Sequence, residues 1–356
     1  MYTKKVTMQD IARAAGVSQT AVSMILNQKG TAFPSETVNR VMNAAQELGY
    51  VFNRRQENSG RSIIMVIVTS ISNPYYTVML QSLHQIANEQ NIQIMVACTY
   101  HNSNTEAQYL ALAIKDEYLG IIYLHAPDNV EAYEASRRKI PIVALCNRVK
   151  YISGDTIQTD NFEAGFTAAQ HLLDLGHKHL AVLTGSFRAD AGSTSRLNGI
   201  YSAMEKSGLM QNLLVLHGPS DWKRILYDHD FYMNLGYRLV SSPRIHEEKI
   251  TGIICSNDLI AFGAMDYLIS HHYRIPEDYS VIGSDNTRYS SLPQVSLTTI
   301  NLHMDEIARA AYNTLTSRAL LTKTGTSGSS TKLLVQCSVD LIKRDSTAPL
   351  KKEKTE

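Results

Sequence analysis

Gln19 and Thr20 set an amide beside a hydroxyl in the stretch VTMQDIARAAGVSQTAVSMILN, Val6 to Asn27. Short polar groups of this kind can read base edges in a major groove when a helix presents them from its first turn. The residues around them are of the types that build such a helix. Ile11, Ala12, Ala15, Val17, Val22 and Ile25 fall into two short apolar runs at three-to-four-residue spacing, which suits two helices meeting at a tight turn over Gly16-Val17-Ser18. Thr7 stands three positions before Asp10, so its hydroxyl can cap the first helix while the carboxylate lies near the positive end of the helix dipole. Gly16 stands where the first helix must stop, and Ser18 can accept a hydrogen bond from the free amides of the second. An αα-hairpin inside an ordinary core accounts for the apolar spacing equally well.

The segment resembles the DNA-binding headpiece of the lac repressor/galactose repressor family, which opens V-T-hydrophobic-x-D-hydrophobic-A-x-x-A-G-V-S and continues with V-S and L-N. Val6, Thr7, Asp10, Ile11, Ala12, Ala15, Gly16, Val17, Ser18, Val22, Ser23, Leu26 and Asn27 match in register, and a third helix is expected over Ser35 to Leu48, before Gly49-Tyr50. The resemblance implies that Gln19, Thr20 and Met24 read bases, with Met24 touching a thymine methyl where the family often has a polar reader. It also implies that Thr7, Ser18, Ser23, Asn27, Tyr50 and Asn53 contact phosphates, setting register while carrying little sequence information.

Charge is divided in the same way. The formal net charge is +1, yet residues 1 to 62 carry eight Lys/Arg against four Asp/Glu, a net of +4, and the remainder carries −3. A small basic unit on a mildly acidic body suits a nucleic-acid arm attached to a ligand-binding domain, and a solvated surface of mixed charge gives the same tally. With 356 residues and 44% hydrophobic content the chain can build two or three domains with sizeable cores. Cys98, Cys146, Cys255 and Cys337 lie far apart without a C-x-x-C pair, which favours reduced thiols over disulfides or zinc. No secretory signal opens the sequence and no apolar run is long enough to span a bilayer, so a cytoplasmic protein is expected.

The run VFNRRQENSGRS after Tyr50 reads as an interdomain linker. In the family this linker forms a hinge helix whose leucine wedges into the minor groove at the operator centre. Here Gln56 and Ser59 stand near the expected alanine and leucine, which removes the apolar wedge, while Arg54 and Arg55 remain hinge contacts for phosphate. Phe52 is expected to pack against the third helix.

From Ile63 the pattern alternates strands and helices. Candidate strands cover 63–70, 92–98, 120–125 and 141–146, then 179–185, 212–218, 251–256 and 280–285. Continuous apolar strands between helices imply parallel sheets covered on both faces, with ligands expected at the carboxyl ends of the strands. The fold class is therefore α/β: a three-helix helix-turn-helix headpiece followed by a body of two parallel-sheet α/β subdomains.

The resemblance continues through this body. Asn73-Pro74-Tyr75-Tyr76, Asp160-Asn161 with Gly165, His171-Leu172 with Gly176-His177, Arg196-Leu197-x-Gly199, Asn257-Asp258, Gly283-x-Asp285-Asn286 and Leu297-Thr298-Thr299-Ile300 resemble family landmarks in order. It implies a body like a periplasmic sugar-binding protein, crossed three times by the chain. The expected division is a headpiece over 1–53, a hinge linker over 54–62, an effector-binding and dimerisation domain over 63–342, and a disordered tail over 343–356. Within the body one subdomain would use 63–160 and 294–324, the other 161–293 and 330–342. The implied effector pocket is Arg196, Asp285, Asn257, Asp160, Trp222 and Tyr75, with Tyr76 packing and Asp258 capping a helix. Arg196 offers a fork of donors, Asp285 two acceptor oxygens for a paired-hydroxyl edge, and Trp222 an aromatic face for a pyranose or a base.

No G-x-G-x-x-G, P-loop or G-x-S-x-G occurs, and His177-x-His179 and His271-His272 lack Cys or acidic partners at ligand spacing, so neither catalysis nor a metal is expected. Lys223 to Met233 reads as an insertion and Thr322 to Thr331 as a flexible crossing. A transport receptor would share the body but not the basic headpiece, and an enzyme would need a convergent nucleophile and base. The reading is a transcriptional repressor rather than an enzyme. As a homodimer without membrane contact, it would bind double-stranded operator DNA. It would use no cofactor and respond to a small-molecule effector, a sugar or sugar derivative, through allostery.

Overall fold

The computed structural model describes residues 6–26, 33–48, 62–146, 152–185, 191–218, 230–323 and 331–351. Contacts divide the chain into one unit over Met1–Gly60 and another over Arg61–Glu356.

Three helices form the first unit: α1 (Met8–Ala15), α2 (Gln19–Leu26) and α3 (Ser35–Glu47). Thr7 and Asp10 make the expected cap in both directions, the Thr7 amide donating to Asp10 Oδ2 at 2.9 Å and the Asp10 amide to Thr7 Oγ1 at 3.4 Å. Gly16 closes α1 at φ +66°, a left-handed conformation that suits a residue without a side chain. The Ala21 amide donates to Ser18 Oγ at 3.1 Å and so caps α2. Ile11, Val22 and Val41, one from each helix, are fully buried at the centre, with Ala15, Ile25 and Ala44 around them. Each helix is too short to hold itself in water, and this shared core supplies the stability.

In the second unit the elements run β1 (Ile63–Val68), α4 (Pro74–Glu89), β2 (Gln93–Cys98), α5 (Ser103–Lys115), β3 (Gly120–Tyr123), α6 (Val130–Ser136), β4 (Ile142–Leu145) and β5 (Asp155–Thr159). They continue with α7 (Asn161–Asp174), β6 (Leu180–Thr184), α8 (Ala191–Lys206), β7 (Leu213–His217), α9 (Phe231–Val240), α10 (Arg244–Glu247), β8 (Gly252–Cys255), α11 (Asp258–Ser270) and β9 (Ser280–Asp285). Last come β10 (Thr298–Asn301), α12 (Met304–Lys323), β11 (Leu334–Cys337) and β12 (Asp340–Ile342). Two six-stranded sheets result, ordered β11-β5-β4-β3-β1-β2 and β12-β10-β9-β8-β6-β7; the described ladders are all parallel except β10 with β12.

Alternate residues of each central strand feed different cores, as a pleated strand between two helical layers requires. In β1, Ile64, Val66 and Val68 join Met79 and Leu83 of α4 and Leu315 of α12, whereas Met65 and Ile67 join Leu110 of α5 and Tyr133 of α6. In β6, Leu180 and Val182 join Leu172 of α7 and Ile200 of α8, whereas Ala181 and Leu183 join Leu235 of α9 and Ala264 of α11. Strand order turns back between β1 and β3 in one sheet and between β6 and β8 in the other, the points where such sheets open a crevice for ligands.

The chain crosses between sheets after β5, after β10 and after β11. The bounds of the subdomains differ from those expected. β10 lies in the second sheet, paired Thr298↔Ile282 with β9, although 294–324 was assigned whole to the first; only α12 returns to pack on α4 and the first sheet. β11 pairs Leu334↔Thr156 with β5 in the first sheet, although 330–342 was assigned to the second; only β12 belongs there. β10 and β11 are short and half polar, and their partners lie far away in sequence, so the two later crossing positions were not legible.

The expected disordered tail over 343–356 is also corrected for its described part. Val281 donates its amide to the Ser346 carbonyl at 2.8 Å, Ser346 Oγ donates back to the Val281 carbonyl at 2.6 Å, and the Leu350 amide donates to the Leu175 carbonyl at 2.8 Å. Ser346 and its neighbours satisfy backbone groups that the sheet would otherwise leave open. A lysine-rich composition therefore misdirected the reading of residues 343–351.

Candidate functional site

Two close helix crossings set the site. A Cβ on Gly165 of α7 would lie 1.8 Å from the Arg196 carbonyl oxygen of α8, and one on Gly199 would lie 2.0 Å from the Phe162 carbonyl oxygen. Only glycines let these backbones touch. The contact brings Arg196 against the first residue of α7: Nε and Nη2 donate to Asn161 Oδ1 at 3.2 and 2.6 Å, and Nη1 donates to the Ser256 carbonyl. Gly236 and Gly263 do the same for α9 and α11, where an added Cβ would meet the Ile260 and Met233 carbonyl oxygens at 2.0 and 1.8 Å. One guanidinium thus ties α7, α8 and the turn leaving β8, beside the point where the strand order reverses. An arginine has five N–H donors, and the described residues engage three of them.

Asp285 ends β9 with only 6% of its surface exposed, at φ +124°, followed by Asn286 at φ +52°. Among the described residues no hydrogen bond reaches its carboxylate. Burial, and then the charge of Asp258, push this carboxyl well above the usual carboxylate range, against the opposing pull of Arg196.

Asp258 is fully buried and accepts from the Thr287 amide at 2.8 Å, Thr287 Oγ1 at 3.0 Å and Thr299 Oγ1 at 2.6 Å. Burial raises its pKa while those hydrogen bonds hold it down. Gly283 makes room for it, since a Cβ there would stand 2.4 Å from Asp258 Oδ1.

The other expected pocket residues are placed unevenly. Asn257, not Asp258, caps α11, accepting from the Ile260 amide at 2.8 Å, and Asp160 caps α7, accepting from the Glu163 amide at 3.0 Å. Tyr75 stands in the first turn of α4, edge-on to Tyr76 at 5.3 Å, while Tyr76 Oη accepts from Thr69 Oγ1 at 3.1 Å. Trp222 lies outside the described residues. Arg196 and Asp285 are brought into electrostatic reach; Asn257 and Asp160 sit at neighbouring helix starts with their carboxyl or carbonyl oxygens engaged in capping.

On the headpiece, Gln19 and Thr20 open α2 and are exposed, and Met24 is 41% exposed on the same helix. Thr7 and Ser18 are exposed and Ser23 half-buried. Asn27, Tyr50, Asn53, Arg54, Arg55 and Phe52 lie outside the described residues.

The sequence and the fold are similar to those of known proteins. The family described as "Bacterial regulatory proteins, lacI family" matches residues 7–53, and the "Periplasmic binding protein-like domain" matches residues 169–347. The transcriptional regulator DegA of Bacillus subtilis is 28% identical over 97% of this chain and 99% of its own. The transcriptional repressor PurR of Pasteurella multocida is 29% identical over 88% of this chain and 91% of its own. A crystal structure of a LacI family regulator from Enterococcus faecium with bound ribose superimposes with a TM-score of 0.67 at 25% identity, covering 81% of this chain and 100% of that one.

The chain belongs to the LacI family. It is a DNA-binding transcriptional regulator, and its relatives are regulators rather than enzymes. Among the described residues no helix is long and apolar enough to cross a membrane.

Several residues that build this LacI-family site were not singled out by sequence reasoning. Asn161 follows the Asp160 that was, Thr299 lies in a landmark to which no role was given, and Asp258 was assigned the cap that Asn257 makes. The available signal was chemical: acids and hydroxyls at the ends of otherwise apolar strands. The paired histidines are structural. His177 accepts or donates with Thr251 Oγ1 at 3.0 Å and donates to the Ala348 carbonyl at 3.0 Å, and His179 donates to the Glu248 carbonyl at 3.0 Å.

Proposed function

We propose that this chain is a repressor whose affinity for a pseudo-palindromic operator is set by a small polyhydroxylated effector, a sugar or sugar derivative, held at Arg196 and Asp285. The observation that carries the reading is Asp285. A carboxylate nine-tenths buried, on left-handed backbone at a strand end and without a donor from any of the described residues, is suited to accept from a bound ligand. Hydroxyls supply such donors, and the remaining N–H groups of Arg196 suit the sugar oxygens. The ribose bound by the Enterococcus relative supports the same class of ligand. Asn257 would offer its amide nitrogen, Asp160 the lone pairs left beside its bonds from the Glu163 amide and Gln336 Nε2, and Tyr75 and Trp222 apolar faces.

In this reading Gln19, Thr20 and Met24 of each headpiece enter successive major grooves. Thr7, Ser18, Ser23, Asn27, Tyr50 and Asn53, with Arg54 and Arg55 of the linker over 54–62, hold phosphates. Two headpieces require a homodimer. The edge strand β2 supports one, since it exposes Met95 and Val96, apolar side chains that a second copy would cover. Effector binding would change the spacing of the headpieces, worth roughly 1–3 kcal/mol of coupling.

Thermal-shift screening of the purified full chain against D-ribose and other saccharides would identify the effector, and fluorescence anisotropy on a duplex selected from a random pool would follow operator binding with and without it. Asp285→Asn should bind the duplex and ignore the effector. A normal effector response in both Asp285→Asn and Arg196→Ala would refute the site.

A further inference from the structure

We infer that Arg344, in the segment after β12, is a positioning residue for Asp285. Arg344 Nη2 donates to Asn286 Oδ1 at 2.7 Å and Nη1 to the Leu297 carbonyl at 2.7 Å, while its amide donates to Thr298 Oγ1 at 2.9 Å. The guanidinium therefore bridges the turn that leaves β9 and the residue that leads into β10. That turn needs holding. Asp285 and Asn286 both have positive φ, 124° and 52°, and a residue with a Cβ persists in such a conformation only where its surroundings enforce it.

Two anchors meet the turn. Asp258 grips Thr287 from the side of α11, taking both its amide and its hydroxyl, and Arg344 grips Asn286 from the C-terminal segment. Asp285 immediately precedes Asn286 and lies two residues before Thr287, and the cation that bears on its carboxyl is Arg196. Arg344 is partly buried, and burial lowers its pKa while Asp258 raises it, so the cation is held among partners rather than free on the surface. A planar fork satisfies two acceptors at once, one just after β9 and one just before β10; an ammonium reaches one. The C-terminal segment thus belongs to the effector site, although it is remote from it in sequence.

The importance of this positioning rests on the reading of Asp285 as the effector's acceptor, but its test uses no effector. Site-resolved amide hydrogen exchange on the full chain would compare wild type with Arg344→Met, Arg344→Lys and Asn286→Ala. The Thr287 amide, which donates to Asp258, reports whether the turn stays closed. Arg344→Met and Asn286→Ala should each speed its exchange at least about tenfold relative to Ile254 in β8, and Arg344→Lys should recover part of the protection. Asn286→Ala removes the acceptor without touching the C-terminal segment, so it decides the matter if Arg344→Met folds poorly. Unchanged Thr287 exchange in Asn286→Ala, or equal acceleration at Ile254 and Thr287, would overturn the inference. Either result leaves the effector test at Asp285→Asn standing on its own.

Discussion

Arg196 and Asn161 meet through two hydrogen bonds on one oxygen, Nε at 3.2 Å and Nη2 at 2.6 Å from Oδ1, and a third bond from Nη1 carries the link to Ser256. The pair joins the start of α7, just after the chain crosses from the first sheet, to the turn after β8. An effector that engages the remaining donors of Arg196 would act on three elements at once. Replacing Arg196 with Ala is expected to abolish the effector response while leaving duplex binding, measured by anisotropy with and without effector. It should also cost about 1–3 kcal/mol of stability, because buried Asn161 and the Ser256 carbonyl lose their partner. Arg196→Lys should not restore the response, since an ammonium cannot span both acceptors.

The glycines beneath that arginine give a second prediction. With a Cβ on Gly165 only 1.8 Å from the Arg196 carbonyl oxygen, Gly165→Ala must push α7 and α8 apart. Overpacking of this kind costs about 1–3 kcal/mol or more. The melting temperature of the body should fall, and effector response should fall with it because Arg196 moves. Gly208→Ala, where an added Cβ meets nothing within 4 Å but φ is +67°, should lower stability through backbone strain and leave the response intact. Equal effector affinity in wild type and Gly165→Ala would contradict the proposed dependence on helix approach.

Much of this was legible in the sequence, for identifiable reasons. Thr7, Asp10, Gly16 and Ser18 carry their roles in local chemistry, so the headpiece caps could be read directly. The central strands were found because burial on both faces demands unbroken apolar runs such as Ile63 to Val68. β5, β10, β11 and β12 were not, because these short strands are partly polar and their pairing is decided by distant partners. For the site, Arg196 and Asp285 were reached by resemblance, while Asn161, Thr287, Thr299 and Arg344 act through contacts that no local pattern encodes. The hydroxyls of Ser346 and Thr347 tie the C-terminal segment to β9 and α7 in the same way.

Reading of the duplex is expected to separate from the helix caps. Gln19→Ala should change which duplex is preferred in a selection from a random pool, with little effect on melting, because the side chain is exposed. Ser18→Ala should instead lose the cap on α2, at about 1 kcal/mol, and weaken binding to all duplexes alike. A uniform loss of affinity in Gln19→Ala would show that it holds the backbone rather than a base.

The raised pKa of Asp285 has a defined sign for stability. The folded chain holds this proton more tightly than the unfolded chain, so folding takes up a proton between the ordinary carboxylate range and the higher folded value. Stability is therefore lost as pH rises through that window, and at neutral pH the group opposes folding. Asp285→Asn keeps the shape and removes the charge. Its melting temperature should exceed that of wild type at pH 7, by about 2–4 °C for each kcal/mol relieved, and the gap should close toward pH 3. The same variant should lose the effector, since an amide presents one acceptor oxygen where the carboxylate presents two. A site that costs stability in the empty protein and returns it on binding is what a ligand-controlled equilibrium requires. An unchanged melting temperature in Asp285→Asn from pH 3 to pH 8 would mean that the carboxyl is not held out of its usual range.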